Sequence, residues 1–467
     1  MPLLRRWASP RPRSGALPPR LHRVTTDSDP AISGGTAAEI VDSVRALVER
    51  GALVPGRTLP PVRVLAEDLG VNRNTVVAAY RRLARSGVVI ARGRAGTHVA
   101  QRPQVPQKGF ADPGSLRDVG TGNPDPSFIP DLAPAMAAAG GRPVLYGEPI
   151  IDHDFKDWAR DWMAPDVPGP SDDVHLTLTS GAVDAVERLL AQALMRDDAI
   201  ALEDPCFLAS IHIARLGGYR AVPVPVDAEG MTVEGLRAAL DKGVRAVVTT
   251  PRAQNPTGVS LSARRAEQLR EVLAEHPYVL VIEDDYYSFL SQRPFHSIVG
   301  PEHQRWALVR SVSKFIGPDL CLAVTASDAD TAARLATRLS PGTTWVSHLL
   351  QRITHSVLRD ADARALIDRA GVHYAERNAS FAARLTEHGL PVEPGDGLSL
   401  WVPVQAPAQY VAERLMRRGW LARTGDEFRL AEAGPPSRYL RLTVHDLDAQ
   451  QADALARDLA TAVREAS

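Results

Sequence analysis

Two cysteines, Cys206 and Cys321, are all that 467 residues contain. That is too few for a disulfide framework or a four-ligand structural zinc site, and no metal is expected. The scarcity fits a reducing compartment, so the cytoplasm is the expected location. Long hydrophobic runs are also missing: no stretch of about 18 uninterrupted apolar residues occurs, which argues against a membrane span and for a soluble protein. The opening MPLLRRWASPRPRSG interrupts its apolar stretch with Arg and Pro too soon for a signal peptide. Residues 1–30 are expected to form a disordered leader. Lysine is the most informative shortage. Only Lys108, Lys156, Lys242 and Lys314 occur among 54 basic residues, so any chemistry requiring a primary side-chain amine has four candidates.

What is present is ordinary globular usage, 44% apolar and 23% charged, in a chain long enough for two or three domains. The net charge of −1 hides an asymmetry. Residues 1–100 hold 16 arginines against 7 acids, so the remainder is acidic. A basic amino-terminal module on an acidic body predicts a polyanion partner for the first part alone.

Residues 36–50 place Ile40, Val41, Val44, Leu47 and Val48 on one helical face, with Thr36 as the cap. Leu59-Pro60-Pro61 opens a short helix with Val64, Leu65 and Leu69, stopped at Gly70. Asn72 caps a third helix over 73–86, with Val76, Val77, Tyr80 and Leu83 inward. Two alternating segments, 87–92 and 97–100, straddle Gly93 and Gly96. This order is that of a winged helix-turn-helix. Arg73, at the start of the third helix, is placed to meet a guanine or a phosphate, and Arg63, Arg81, Arg82, Arg85, Arg92 and Arg94 supply backbone cations. The stretch resembles the GntR-type winged helix over about residues 36–100. The resemblance implies double-stranded DNA as partner and Arg63, Arg73, Thr75, Gly96 and Thr97 as contacts; Val77 departs from members with arginine there.

Residues 101–119, rich in Pro, Gln and Gly without apolar period, read as a linker between a domain at 31–100 and one at 120–467. Beyond 120, short apolar runs such as Ala199–Leu202, Ala246–Thr249, Val279–Ile282 and Trp306–Val309 alternate with helical stretches. The pattern predicts an α/β body with a mainly parallel sheet. A long helical stretch (345–388) and mixed elements to 464 predict a small α+β carboxy-terminal lobe.

Lys314 follows an apolar strand in Ser311-Val312-Ser313-Lys314, where burial lowers an amine's pKa and favours imine formation. Lys108 falls in the linker, Lys156 in a polar stretch and Lys242 in a turn. Other strand ends carry Asp284 with Tyr286 and Tyr287, a turn Asn255-Pro256-Thr257-Gly258 with Pro256 a candidate cis bond, and Phe207. Thr179-Ser180-Gly181-Ala182 precedes a helix whose amino terminus can hold a phosphate. Taken singly, each has a plain structural explanation as cap, turn or core. Together and in this order they resemble the fold type I aminotransferases over about residues 120–465.

That resemblance implies pyridoxal 5'-phosphate, with Lys314 as the Schiff-base lysine and Asp284 on the pyridine nitrogen. It places Asn255 and Tyr286 at the phenolate oxygen, Phe207 on the ring, and Ser180, Gly181, Ala182, Ser311 and Ser313 at the phosphate. Arg441 in Leu440-Arg441-Leu442-Thr443 would grip an effector carboxylate, and Tyr146 would reach the phosphate site of a second subunit, implying a homodimer. Cys321 stands where the family has a phosphate-binding arginine, which puts occupancy in question.

The joined halves resemble the MocR group of bacterial regulators. The expectation is a transcription regulator sensing pyridoxal phosphate or an amine or amino acid that reacts with it. The alternatives are a working aminotransferase and a regulator whose body only dimerises. The segments at Arg252–Gly258 and Arg310–Leu320 look closest to a branch linked to vitamin B6 salvage.

Overall fold

The computed structural model describes residues 31–85, 88–91, 96–100, 116–169, 173–339, 345–430 and 434–466. They belong to two compact units that divide at Gln104.

In the first unit, the helix Ala37–Glu49 begins in a reciprocal cap: the Glu39 amide donates to Thr36 Oγ1 at 3.3 Å, and Glu39 Oε2 accepts from the Thr36 amide. Its inward face is Ile40, Val41, Val44 and Leu47. The helices Val62–Leu69 and Arg73–Arg85 follow, and the strands Val89–Ala91 and Thr97–Val99 pair antiparallel as a wing. Tyr80 ties the third helix to the entry of the second by donating its hydroxyl to the Pro60 carbonyl at 2.7 Å. Of the apolar residues of the short second helix, Leu65 and Ala66 are in the core and Val64 is 41% exposed. Ser86, Gly87, Arg92, Gly93 and Arg94, the expected leader 1–30 and residues 101–115 of the expected linker lie outside the described residues.

The body is built on an eight-stranded sheet. Its order is His175–Thr179, Ala323–Ser327, Trp306–Ser311, Leu280–Asp284, Ala246–Thr249, Ala199–Asp204, Arg220–Asp227 and Gly230–Met231. The five strands from Trp306–Ser311 to Arg220–Asp227 run parallel, and the flanking pairings are antiparallel. The inner strands are buried throughout, as strands covered on both faces must be, which is why they read as continuous apolar runs rather than alternations. His175–Thr179, with two threonines and a histidine, escapes such a reading. A three-stranded sheet of Leu400–Pro403, Tyr439–Leu442 and Arg423–Thr424 forms the second lobe with the helices Ala408–Arg417 and Ala449–Ala466.

Two boundaries differ from expectation. The linker expected to reach 119 ends earlier, because Arg117–Asp118 pair in parallel with Trp420–Leu421 and Val119 is fully buried. The helical stretch 345–388 is two helices, His348–Arg359 and Ala361–Glu387. They divide at Asp360, whose extended backbone ends the first while its carboxylate caps the second through the Ala363 amide. Among the described residues no helix is long and apolar enough to cross a membrane.

Candidate cofactor site and nucleic-acid surface

On the first unit, Asn72 Oδ1 accepts from the Asn74 amide at 2.8 Å and starts the third helix. Arg73 stands exposed at that end, with Arg81 and Arg82 exposed further along, while Val76, Ala79 and Leu83 of the same helix are fully buried. The helix therefore carries a core face and a cationic face. Arg63 is exposed and forms a 3.6 Å pair with Glu67, a loose contact that a phosphate can replace at little cost. Thr75, Gly96 and Thr97 are half-buried.

In the body, the carboxyl ends of the strands converge on one cavity of about 200 Å³. Ser180, Gly181, Ala182, Phe207, Asn255, Asp284, Tyr286, Ser311, Ser313, Lys314 and Cys321 all line it, joined by Val183 and Thr250. Residues spread over more than 140 positions meet there because the end of a parallel sheet gathers its loops on one edge. Lys314 Nζ donates to the Gly122 carbonyl at 2.9 Å, and burial first, then the nearby Arg441 guanidinium, bring its amine down to about 8. It is the sole cation among the described lining residues.

Alternation along Leu280–Asp284 and beyond sorts the acids. Asp284 lines the cavity, whereas Asp285 is wholly buried and clamped by Arg252 at 2.7 and 2.8 Å and by Arg310 Nε at 2.7 Å. Of the two tyrosines, Tyr286 is in the cavity wall with its hydroxyl donating to the Ala253 carbonyl at 2.5 Å; Tyr287 is core. The Asn255–Pro256 bond is cis, and Asn255 Oδ1 accepts from Arg441 Nη1 at 3.1 Å. Arg441 lines a narrow space next to the cavity, sharing Asn255, Tyr286 and Lys314 with it, and its Nη2 donates to the Gly120 carbonyl at 2.5 Å.

At the other end of the cavity the helix Ala182–Ala193 points its amino terminus inward. Gly181 adopts a φ of +87°, and a β-carbon there would stand 3.1 Å from the Cys321 sulfur. Ser311 and Ser313 bring their hydroxyls to 3.0 Å of each other. The Cys321 thiol donates to the Ser180 carbonyl at 3.1 Å, and burial, Asp184 and Asp319 push it up, so it stays neutral. Tyr146 is outside this assembly, 91% exposed and edge-on to Trp345.

Sequence reasoning missed what stands behind the cavity. Glu203, fully buried, accepts from the Thr249 hydroxyl at 2.7 Å, the Thr250 amide and Gln254 Nε2, and Gln254 in turn receives the Thr257 hydroxyl. It braces the turn that carries Asn255. The signal was weak, since Glu203 looks like the polar end of a strand. Burial lifts its carboxyl to about 7. A carboxyl raised above its unfolded value of 4.5 favours the folded state below pH 4.5 and loses that contribution as pH rises to about 7. Replacing it with Gln should therefore flatten the fall in unfolding free energy between pH 4.5 and 7, by up to about 1.4 kcal/mol per pH unit in urea titrations.

Comparison with known proteins agrees with both units. The family described as aminotransferase class I and II matches residues 117–459, and the gntR family of bacterial regulatory proteins matches residues 36–99. The vitamin B6 salvage pathway transcriptional repressor PtsJ of Salmonella typhimurium is 43% identical over 92% of this chain and 98% of its own length. The probable rhizopine catabolism regulatory protein MocR of Rhizobium meliloti is 25% identical over 75% of this chain and 77% of its own. Among solved structures, the multiple substrate aminotransferase of Thermococcus profundus superposes with a TM-score of 0.68 at 20% identity, covering 78% of this chain and 95% of that one. A GntR-type reader joined to a fold type I aminotransferase body over nearly the whole length places this chain in the MocR-type family of bacterial transcription regulators.

Proposed function

We propose that this regulator binds double-stranded DNA through its winged helix and senses pyridoxal 5'-phosphate, or an amine that reacts with it, through the cavity around Lys314. The observation that carries the reading is the meeting of one low-pKa amine, one carboxylate, an amide and several hydroxyls at a helix amino terminus. That donor set fits a phosphorylated pyridine aldehyde. The similarity to PtsJ, a transcriptional repressor of the vitamin B6 salvage pathway, supports the same ligand class.

When bound, the cofactor supplies an electrophilic carbon and an electron sink. Lys314 would provide the amine, Asp284 would face the ring nitrogen, and Phe207 would cover a ring face. Asn255, whose oxygen is taken by Arg441, keeps its Nδ2 to donate to the phenolate oxygen beside Tyr286. Ser180, Gly181, Ala182, Ser311 and Ser313 would hold the phosphate. Arg441 would bind an effector carboxylate by exchanging the Gly120 carbonyl for it. The exposed Tyr146 would serve the phosphate site of a second copy in a homodimer. Arg63, Arg73, Thr75, Gly96 and Thr97 would contact DNA.

Cys321 is the exception at the phosphate end. Cys321→Arg should tighten pyridoxal phosphate by about tenfold or more, the worth of a charge-assisted hydrogen bond of ~1.5–3 kcal/mol, read by absorbance titration. The reading as a whole is tested by titrating the purified protein with pyridoxal phosphate, then adding amino acids and a keto acid. A visible imine band without turnover supports a sensor; steady transfer of amino groups would make the body an enzyme, and no band would leave it a dimerisation platform.

A further inference from the structure

The segment Arg117–Asn123 is the first described stretch of the body, following in sequence the unit that carries the winged helix. It is held by Lys314 of the cavity and by two arginines, of which Arg441 lines the space beside it. Arg441 Nη2 donates to the Gly120 carbonyl at 2.5 Å, Arg423 Nε to the same oxygen at 3.2 Å, and Lys314 Nζ to the Gly122 carbonyl at 2.9 Å. The Gly122 amide donates to Thr443 Oγ1 at 3.0 Å, and the Thr443 amide returns a bond to the Val119 carbonyl. Gly122 has a φ of +64°, and a β-carbon there would lie 3.1 Å from Arg441 Nη2, so the strap lies directly on the guanidinium.

We infer that this strap is the element through which the cavity reports its ligand: occupation of Lys314 and Arg441 withdraws the donor from the Gly122 carbonyl and leaves the Gly120 carbonyl to Arg423 alone. The inference rests on the sensor reading above and adds its output. In the covalent step the Lys314 nitrogen forms a C=N bond to the aldehyde carbon, and the aldehyde oxygen leaves as water with two hydrogens from the amine. Carbon and nitrogen are neither oxidised nor reduced. At most one N–H remains, and the phenolate oxygen ortho to the aldehyde accepts it, so the Gly122 carbonyl loses its cationic donor. An effector carboxylate at Arg441 would likewise draw Nη2 from Gly120. Both events loosen the same seven residues, directly downstream of the linker.

Amide hydrogen exchange of the full-length protein over residues 117–124 tests this, with pyridoxal 5'-phosphate compared with pyridoxine 5'-phosphate, which has the same ring and phosphate but no aldehyde. The aldehyde should speed exchange of the Val119 and Gly122 amides by about tenfold or more, the worth of one hydrogen bond to a charged donor, and the alcohol should not. Lys314→Ala should exchange fast with either probe. Thr443→Val, which removes the acceptor of the Gly122 amide together with the 3.0 Å contact of that hydroxyl with Ser399 Oγ and leaves Lys314 and Arg441 in place, should exchange fast without any probe and shift DNA affinity in the direction that pyridoxal phosphate shifts the wild type. A visible imine band with unchanged exchange, or a Lys314→Ala strap as protected as the wild type, would overturn the strap while leaving the sensor standing. Absence of both band and exchange response would overturn the sensor and the strap with it.

Discussion

Lys314→Ala should bind pyridoxal phosphate without a visible imine band and at least about a hundredfold more weakly, ~2.8 kcal/mol, because noncovalent contacts alone remain. No other lysine is among the described residues that line the cavity. The pH profile of the wild type gives the argument its sharper form. With an amine at about 8, roughly a tenth of Lys314 is neutral at pH 7, whereas an ordinary lysine near 10.5 leaves about one in 3,000. The initial rate of imine formation should thus rise about tenfold from pH 7 to 9 and then level off. A rate that keeps climbing past pH 10 would assign the reaction to an exposed lysine. The physical origin is burial beside Arg441, both of which penalise the ammonium form.

Asp285→Ala should cost about 3–5 kcal/mol of stability, measured by urea unfolding, since it leaves the buried Arg310 and the half-buried Arg252 without their shared carboxylate. Arg310 is 1% exposed, and among the described residues it reaches, beyond Asp285, Asp166, the Trp162 carbonyl, the Met163 sulfur and the faces of Trp162 and Phe295. Arg252 also lies over the Phe295 ring, 5.4 Å from its centroid. The two guanidiniums hold the Asp285 carboxyl below its ordinary value even though burial acts in the opposite direction. A carboxyl depressed on folding stabilises above its unfolded pKa and loses that contribution as pH falls through the folded one. The wild type should therefore lose stability below pH 4 more steeply than the variant. Equal stabilities at pH 7 would show that the arginines find other partners.

Much of this was legible in the chain. The GntR-type order of elements, the run from Ser311 to Lys314 and the acids after Ile282 each have a local chemical pattern, and the structure gathers Ser311, Ser313, Lys314 and Asp284 at one cavity. The choice of Asp284 over Asp285 and Tyr286 over Tyr287 turned on side-chain alternation at the end of a strand, which the sequence reveals only once the strand's last residue is known. Glu203 and the Arg252–Asp285–Arg310 clamp gave no local signal, because their partners are up to 144 positions away, as between Arg310 and Asp166. The strap was misread as linker to residue 119 because Arg117–Asp118 form only two residues of strand, and their apolar partners come from the far end of the chain. Tyr146 stands apart from the cavity of its own chain, so its expected role depends on a second copy.

The most direct test of the account is the change in affinity for DNA, selected from random sequence by the protein itself, when pyridoxal 5'-phosphate is added at fixed salt to the wild type and to Lys314→Ala side by side. Fixed salt matters because phosphate contacts by the cationic helix face make affinity depend steeply on ionic strength. Affinity should shift for the wild type, in whichever direction its two states differ, and stay put for the variant. An equal shift in both, or none in the wild type despite a visible imine band, would contradict the claim that chemistry at Lys314 governs the reading of DNA.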